Sequence, residues 1–181
     1  MGDWPVGGNY PCTIHPYSWE SMGPFIAHVQ GTVLPSIASA VWPTANKAMY
    51  MPFWLAQPII VVKLFCLNGA AVSGNVDMGI YDAAGTKIVS TGSTAQAGIS
   101  VIQEFDIADT VVGPGLFYLA IALDNTTGTI YRGFFLSLPV ASLAGMAHQL
   151  TAFPLPATAT FAAVATNTTI PICALTTRSV I

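Results

Sequence analysis

The chain is 181 residues long and carries a formal net charge of -3, with only 7% of its residues charged and 53% hydrophobic. An ordinary soluble domain has roughly 25% charged residues, whereas a free monomer of 18.9 kDa would here show about one charge per 600 Å² of an about 8,000 Å² surface. This excludes a well-solvated solitary surface and predicts that neighbouring protein covers much of the molecule.

Residues 1–45 are expected to form an extended arm. Trp4, Tyr10, Tyr17, Trp19, Phe25 and Trp42 lie among Pro5, Pro11, Pro16, Pro24, Pro35 and Pro43. Prolines at this density forbid a long helix, and uncharged, aromatic-rich sequence does not make a solvated tail. Trp4, Tyr10, Tyr17, Trp19 and Trp42 are therefore the candidate interface anchors, because Trp and Tyr are enriched where proteins meet. Ile26 to Leu34 reads as a strand within the arm.

Residues 46–181 are expected to form a β-sandwich. The β-branched run Ile59 to Cys66 fits a central strand covered on both sides. Val76, Met78 and Ile80 then alternate with Asp77, Gly79 and Tyr81, and the turn Asp82-Ala83-Ala84-Gly85 leads into Lys87 to Thr91. Val101 to Ile107 is a further strand, with Glu104 and Asp106 on one face. After Gly113-Pro114-Gly115, the strand Leu116 to Leu123 sets Phe117, Leu119, Ile121 and Leu123 against Leu116, Tyr118, Ala120 and Ala122. Asp124 to Gly128 reads as a second hairpin turn before Thr129 to Leu136. Further strands are expected in Thr158 to Thr166 and Ile170 to Thr176, and Val140 to Leu150 is the only helix the pattern allows. Many short strands punctuated by Gly and Pro make an antiparallel, jelly-roll-like sandwich.

Several functions are disfavoured. Lys47, Lys63, Lys87, Arg132 and Arg178 are scattered, which does not make a nucleic-acid surface. The most apolar run, Pro58 to Leu67, is shorter than a membrane helix and contains Lys63. The first residues lack the basic start and apolar run of a secretory signal, so synthesis inside the cell is expected. Cys12, Cys66 and Cys173 fit neither a disulfide framework nor a zinc site, and Cys66 and Cys173 read as buried free thiols. His15, His28 and His148 are far apart, and no nucleophile elbow, phosphate loop or calcium-loop motif occurs. Glu104, Asp106 and Asp109 could hold Ca²⁺, but their placement on a strand favours a structural role. Asn125-Thr126-Thr127 and Asn167-Thr168-Thr169 read as turn and strand residues. No enzyme activity, metal or cofactor is expected.

The stretches Asn75 to Asp82, Gly85 to Gly92 and Gly113 to Ala122 resemble the β-sandwich modules of bacteriophage virion proteins of the head-decoration, tail-fibre and appendage types. That resemblance implies a virion subunit, made in the host cytoplasm, whose partners are other virion proteins and copies of itself. The same pattern resembles carbohydrate-binding sandwiches, which implies a host-recognition module with a glycan ligand as the alternative.

Overall fold

The computed structural model describes residues 12–14, 36–134, 145–164 and 169–178. Among the described residues the strands are, in chain order, β1 (Cys12–Ile14), β2 (Ser36–Val41), β3 (Ala48–Leu55), β4 (Ile59–Leu67), β5 (Asn75–Asp82), β6 (Lys87–Ser90) and β7 (Thr94–Ala95), followed by β8 (Ile102–Val112), β9 (Gly115–Leu123), β10 (Thr129–Phe134), β11 (Ala147–Gln149), β12 (Ala162–Ala163), β13 (Thr169–Pro171) and β14 (Cys173–Arg178). No helix occurs among the described residues. The large sheet runs β12-β11-β3-β9-β5-β6, with β7 also on β5; a second runs β1-β14-β4-β8; a third runs β13-β10-β2. Every pairing is antiparallel. The fold is an all-β antiparallel sandwich.

Alternation within the strands places the main core. Met49, Met51, Phe53 and Leu55 of β3 join Leu119, Ile121 and Leu123 of β9 and Val76, Met78 and Ile80 of β5. They meet Val61, Leu64 and Cys66 of β4, Phe105 of β8, and Cys173 and Leu175 of β14. The two faces expected for β5 and β9 are the two faces observed. The opposite face of the large sheet is also covered, because Ala48, Tyr50, Tyr81, Ala120 and Ala122 pack against Ala147, Ala152, Leu155 and Ala159. Alanines there let the covering segment approach closely.

Polar contacts hold that cover in place. The Tyr81 hydroxyl donates to Pro156 O at 2.6 Å, and Tyr50 donates to Gln149 Oε1 at 3.0 Å. Burial pushes the Tyr50 phenol up to about 12 and raises that of Tyr81 further. Asp77 is fully buried; its carboxylate accepts from Leu155 N at 2.9 Å and from the Thr91 hydroxyl at 3.2 Å. Lys87 Nζ donates to Leu155 O at 2.7 Å. Burial raises the Asp77 carboxyl above its ordinary value, and these donors oppose the shift.

The turn after β5 forms as expected: Asp82 Oδ1 accepts from Ala84 N and Thr86 N, and Gly85 takes a φ of 87°. Three expectations are corrected. The loop 124–128 is not a hairpin, since β9 bonds β3 and β5 while β10 bonds β2 and β13. Asn125 Oδ1 accepts from Thr127 N and Gly128 N, bending the chain from one sheet to another. Of the helix expected over 140–150, residues 140–144 lie outside the described residues, and Ala147–Gln149 form β11 between β3 and β12. Met146 enters the main core and Ala147 the outer one, a two-residue alternation that suits a strand.

The third correction concerns β4. Strand β4 is fully covered on one face alone. A register shift between Val61 and Lys63 leaves Val61, Leu64 and Cys66 inside and Lys63 and Phe65 half-buried. The sheets also take in residues upstream of the 45/46 boundary: β2 pairs with β10 along its length, and Cys12–Ile14 pair with this chain's own β14. The strand expected over Ile26 to Leu34 lies outside the described residues.

Leu119 sits fully buried at the centre of the large sheet, so Leu119→Ala should cost about 2–5 kcal/mol, measured by urea unfolding. Asp77→Ala should cost about 1–3 kcal/mol by leaving Leu155 N–H unpaired. Because the folded Asp77 carboxyl has a raised pKa, the folded chain holds its proton longer than the unfolded chain. Its contribution is complete below the unfolded pKa, about 4, and falls away as pH rises through the folded one. Asp77→Asn should lack that fall; identical slopes of stability against pH in both proteins would count against the assignment.

Candidate interaction surface

Thirteen charged side chains occur in the chain, and eleven lie among the described residues. Asp77 and Arg132 are buried. Asp82 accepts from turn amides, Asp124 accepts from Asn75 N at the start of β5, and Lys87 is turned onto Leu155 O. Five of the remaining six gather on the β4, β8 and β14 sheet. Lys63 Nζ lies 2.9 Å from Glu104 Oε2 and 3.5 Å from Asp106 Oδ1, and Arg178 pairs with Asp109. The hydrogen bond to Glu104 is the main reason the Lys63 ammonium is raised, with Asp106 adding to it. Glu104 and Asp106 do share a face, as the sequence indicates, and they meet a lysine there. One side of the sandwich is thereby charged.

The opposite side carries few charges, and Asp77 and Lys87 there are turned onto Leu155 of the cover. Residues 48–58, 113–123 and 145–164 contain no Asp, Glu, Lys or Arg, and they build the outside of the large sheet and its cover. At one end of this face the cover stops. Trp54 is 58% exposed and sits directly across from Leu116, itself 37% exposed. The next rung on that face pairs Pro52 with Tyr118, whose ring stacks on Phe161 with centroids 4.3 Å apart. Trp54, Leu116, Pro52, Tyr118 and Phe161 therefore form a continuous apolar strip. A large exposed indole within uncharged surroundings is suited to being covered by another molecule.

Of the anchors expected from the sequence, Trp4, Tyr10, Tyr17 and Trp19 lie outside the described residues. Trp42 is corrected: it is 0% exposed inside the main core, and its Nε1 donates to Lys47 O at 2.9 Å. A side chain buried in its own chain cannot anchor a neighbour. Cys66 and Cys173 are buried free thiols, as expected. His15 and His28 lie outside the described residues. His148 sits in β11 opposite Met49, and burial first, then Lys47, lowers its imidazole. Among the described residues no group of three His, Cys, Asp or Glu side chains is placed to hold a metal ion.

Trp54 and Leu116 were not distinguished by sequence pattern. The alternation of β3 puts Trp54 on the Tyr50 face, but nothing in it tells how far along that face the cover reaches. The fold and surface define the class: an all-β antiparallel sandwich with one face bearing exposed ion pairs and one charge-poor, aromatic-ended face. Compared with known proteins, the chain matches no family model, no curated protein and no solved structure.

Two substitutions separate the indoles. Trp42→Ala should destabilise the fold by about 3–5 kcal/mol. Trp54→Ala should cost about 1 kcal/mol or less, because over half its surface is already in water. Denaturation of both variants checks this, and equal losses would contradict the division into core and surface tryptophans.

Proposed function

We propose that this chain is a non-enzymatic structural subunit of a viral particle, in the first place a bacteriophage head-decoration, tail or fibre protein. It acts by protein–protein contact. The observation that carries the reading is the charge-poor face ending in the exposed Trp54 and Leu116, opposite a face where exposed ion pairs are concentrated. In water such a face favours association, and burial of about 800 Å² per partner is what a stable contact needs. The charged face would remain toward solvent. Trp4, Tyr10, Tyr17 and Trp19 are proposed as further anchors. The resemblance of the Asn75 to Asp82 and Gly113 to Ala122 stretches to phage sandwich modules supplies the kind of assembly.

The exposed indole also supports a second reading, a glycan-binding module. Trp54 beside the Tyr118 and Phe161 rings offers a flat apolar platform, and sugar rings pack on such platforms through their C–H faces.

Trp54→Arg combined with Leu116→Glu tests the first reading. The wild-type chain should sediment as a multimer or with particles, and the double variant should remain a folded monomer that particles exclude. Removing residues 1–20 would also delete β1, so point substitutions are the cleaner test. A wild-type chain that stays monomeric at high concentration and never sediments with particles would sink the proposal. Binding to a glycan array that disappears in Trp54→Ala would support the second reading instead.

A further inference from the structure

Cys66 of β4 and Cys173 of β14 stand directly opposite each other in the antiparallel ladder. Leu67 N–H, one residue on, donates to Ile172 O at 3.0 Å. Amide directions alternate along a strand, so the Cys66 amide points away from β14, toward β8. Cys66 and Cys173 are therefore a non-hydrogen-bonded pair, the kind whose Cα atoms lie about 4.5 Å apart with side chains closest. That spacing falls within the about 4.4–6.8 Å range that a disulfide spans. Both side chains are on the inner face and fully buried. Their sulfurs now turn aside: Cys66 Sγ contacts Asn68 Oδ1 at 3.7 Å, and Cys173 Sγ contacts Met51 Sδ at 3.6 Å and Pro171 O at 3.8 Å. Rotation about each Cα–Cβ bond turns them toward one another.

We propose that Cys66 and Cys173 form a cross-strand disulfide when the chain folds in the presence of a low-molecular-weight disulfide. One cysteine thiolate attacks the oxidant, glutathione disulfide for example, forming a mixed disulfide and releasing one glutathione thiolate. The second cysteine thiolate then attacks the protein sulfur of that mixed disulfide and expels the second. The cysteine pair loses two electrons, the oxidant becomes two thiols, and the two cysteine protons end on them. Exchange requires thiolate and access. Both are lost once β14 has docked, because burial pushes the Cys66 thiol up to about 12 and that of Cys173 well above its ordinary value. The bond therefore forms as β14 meets β4 and is then shielded from reductant. It ties together segments about 100 residues apart, which constrains the unfolded chain strongly.

The full chain, unfolded and reduced, is refolded in a glutathione redox buffer, alkylated and digested. The product should be about 2 Da lighter before alkylation, with peptides carrying Cys66 and Cys173 linked and Cys12 alkylated. Its thermal midpoint should rise by roughly 10 °C over the reduced protein. Cys12→Ser should retain the link, and already folded, reduced protein in the same buffer should acquire it far more slowly. Recovery of folded protein with both thiols alkylated, or with Cys12 joined to either, would overturn the inference. The wild-type peptide map decides this even if a Cys66 or Cys173 variant fails to fold.

Discussion

The large sheet is apolar on both faces, and the rest of the architecture answers that constraint. One face is closed by the β1-β14-β4-β8 sheet through Leu64, Cys66, Phe105 and Leu175. Among the described residues no sheet meets the other, and the uncharged segment around Ala152, Leu155 and Ala159 lies over it instead. Irregular backbone in contact with a buried face needs hydrogen-bond partners of its own. Asp77 supplies one from beneath, accepting from Leu155 N, while Tyr81 and Lys87 donate to the carbonyls of Pro156 and Leu155. A buried carboxylate is costly, and it is held here because it fixes the cover in register.

The sparse charges are placed with economy. Most described ionic groups either accept from backbone amides, as Asp82 and Asp124 do, or meet one another on the β4, β8 and β14 sheet. Exposed ion pairs contribute little stability. Their value lies in marking one side as compatible with water, while on the other Asp77 and Lys87 are turned inward onto Leu155. The exposed indole of Trp54 thus lies on the charge-poor side, away from the Lys63 and Arg178 ion pairs.

Strand composition and alternation were readable without coordinates. The two faces of Val76 to Tyr81 and of Leu116 to Leu123 followed from period two, and the Asp82 to Gly85 turn followed from its chemistry. Partner choice was not readable. Asp124 to Gly128 has the composition of a hairpin turn, yet Asn125 uses it to send the chain into another sheet, because pairing depends on what β2 and β13 offer to β10. The shift between Val61 and Lys63 was likewise invisible, since Ile, Val and Leu suit either face equally well. Trp42 looked like part of an aromatic arm and proved to be core, whereas Trp54, inside an ordinary strand, is the exposed one. Sequence composition reports that an indole will find a partner, not whether the partner belongs to the same chain.

Ile172 alone separates β13, bonded to β10, from β14, bonded to β4. A single residue allows no slack, so shear on one sheet is transmitted directly to the other. Ile172 reinforces the joint by donating its N–H to Tyr131 O while accepting from Leu67 N through its carbonyl, so one residue's two backbone groups bridge both sheets. Tension between the two sheets would therefore fall first on this rivet instead of spreading strand by strand.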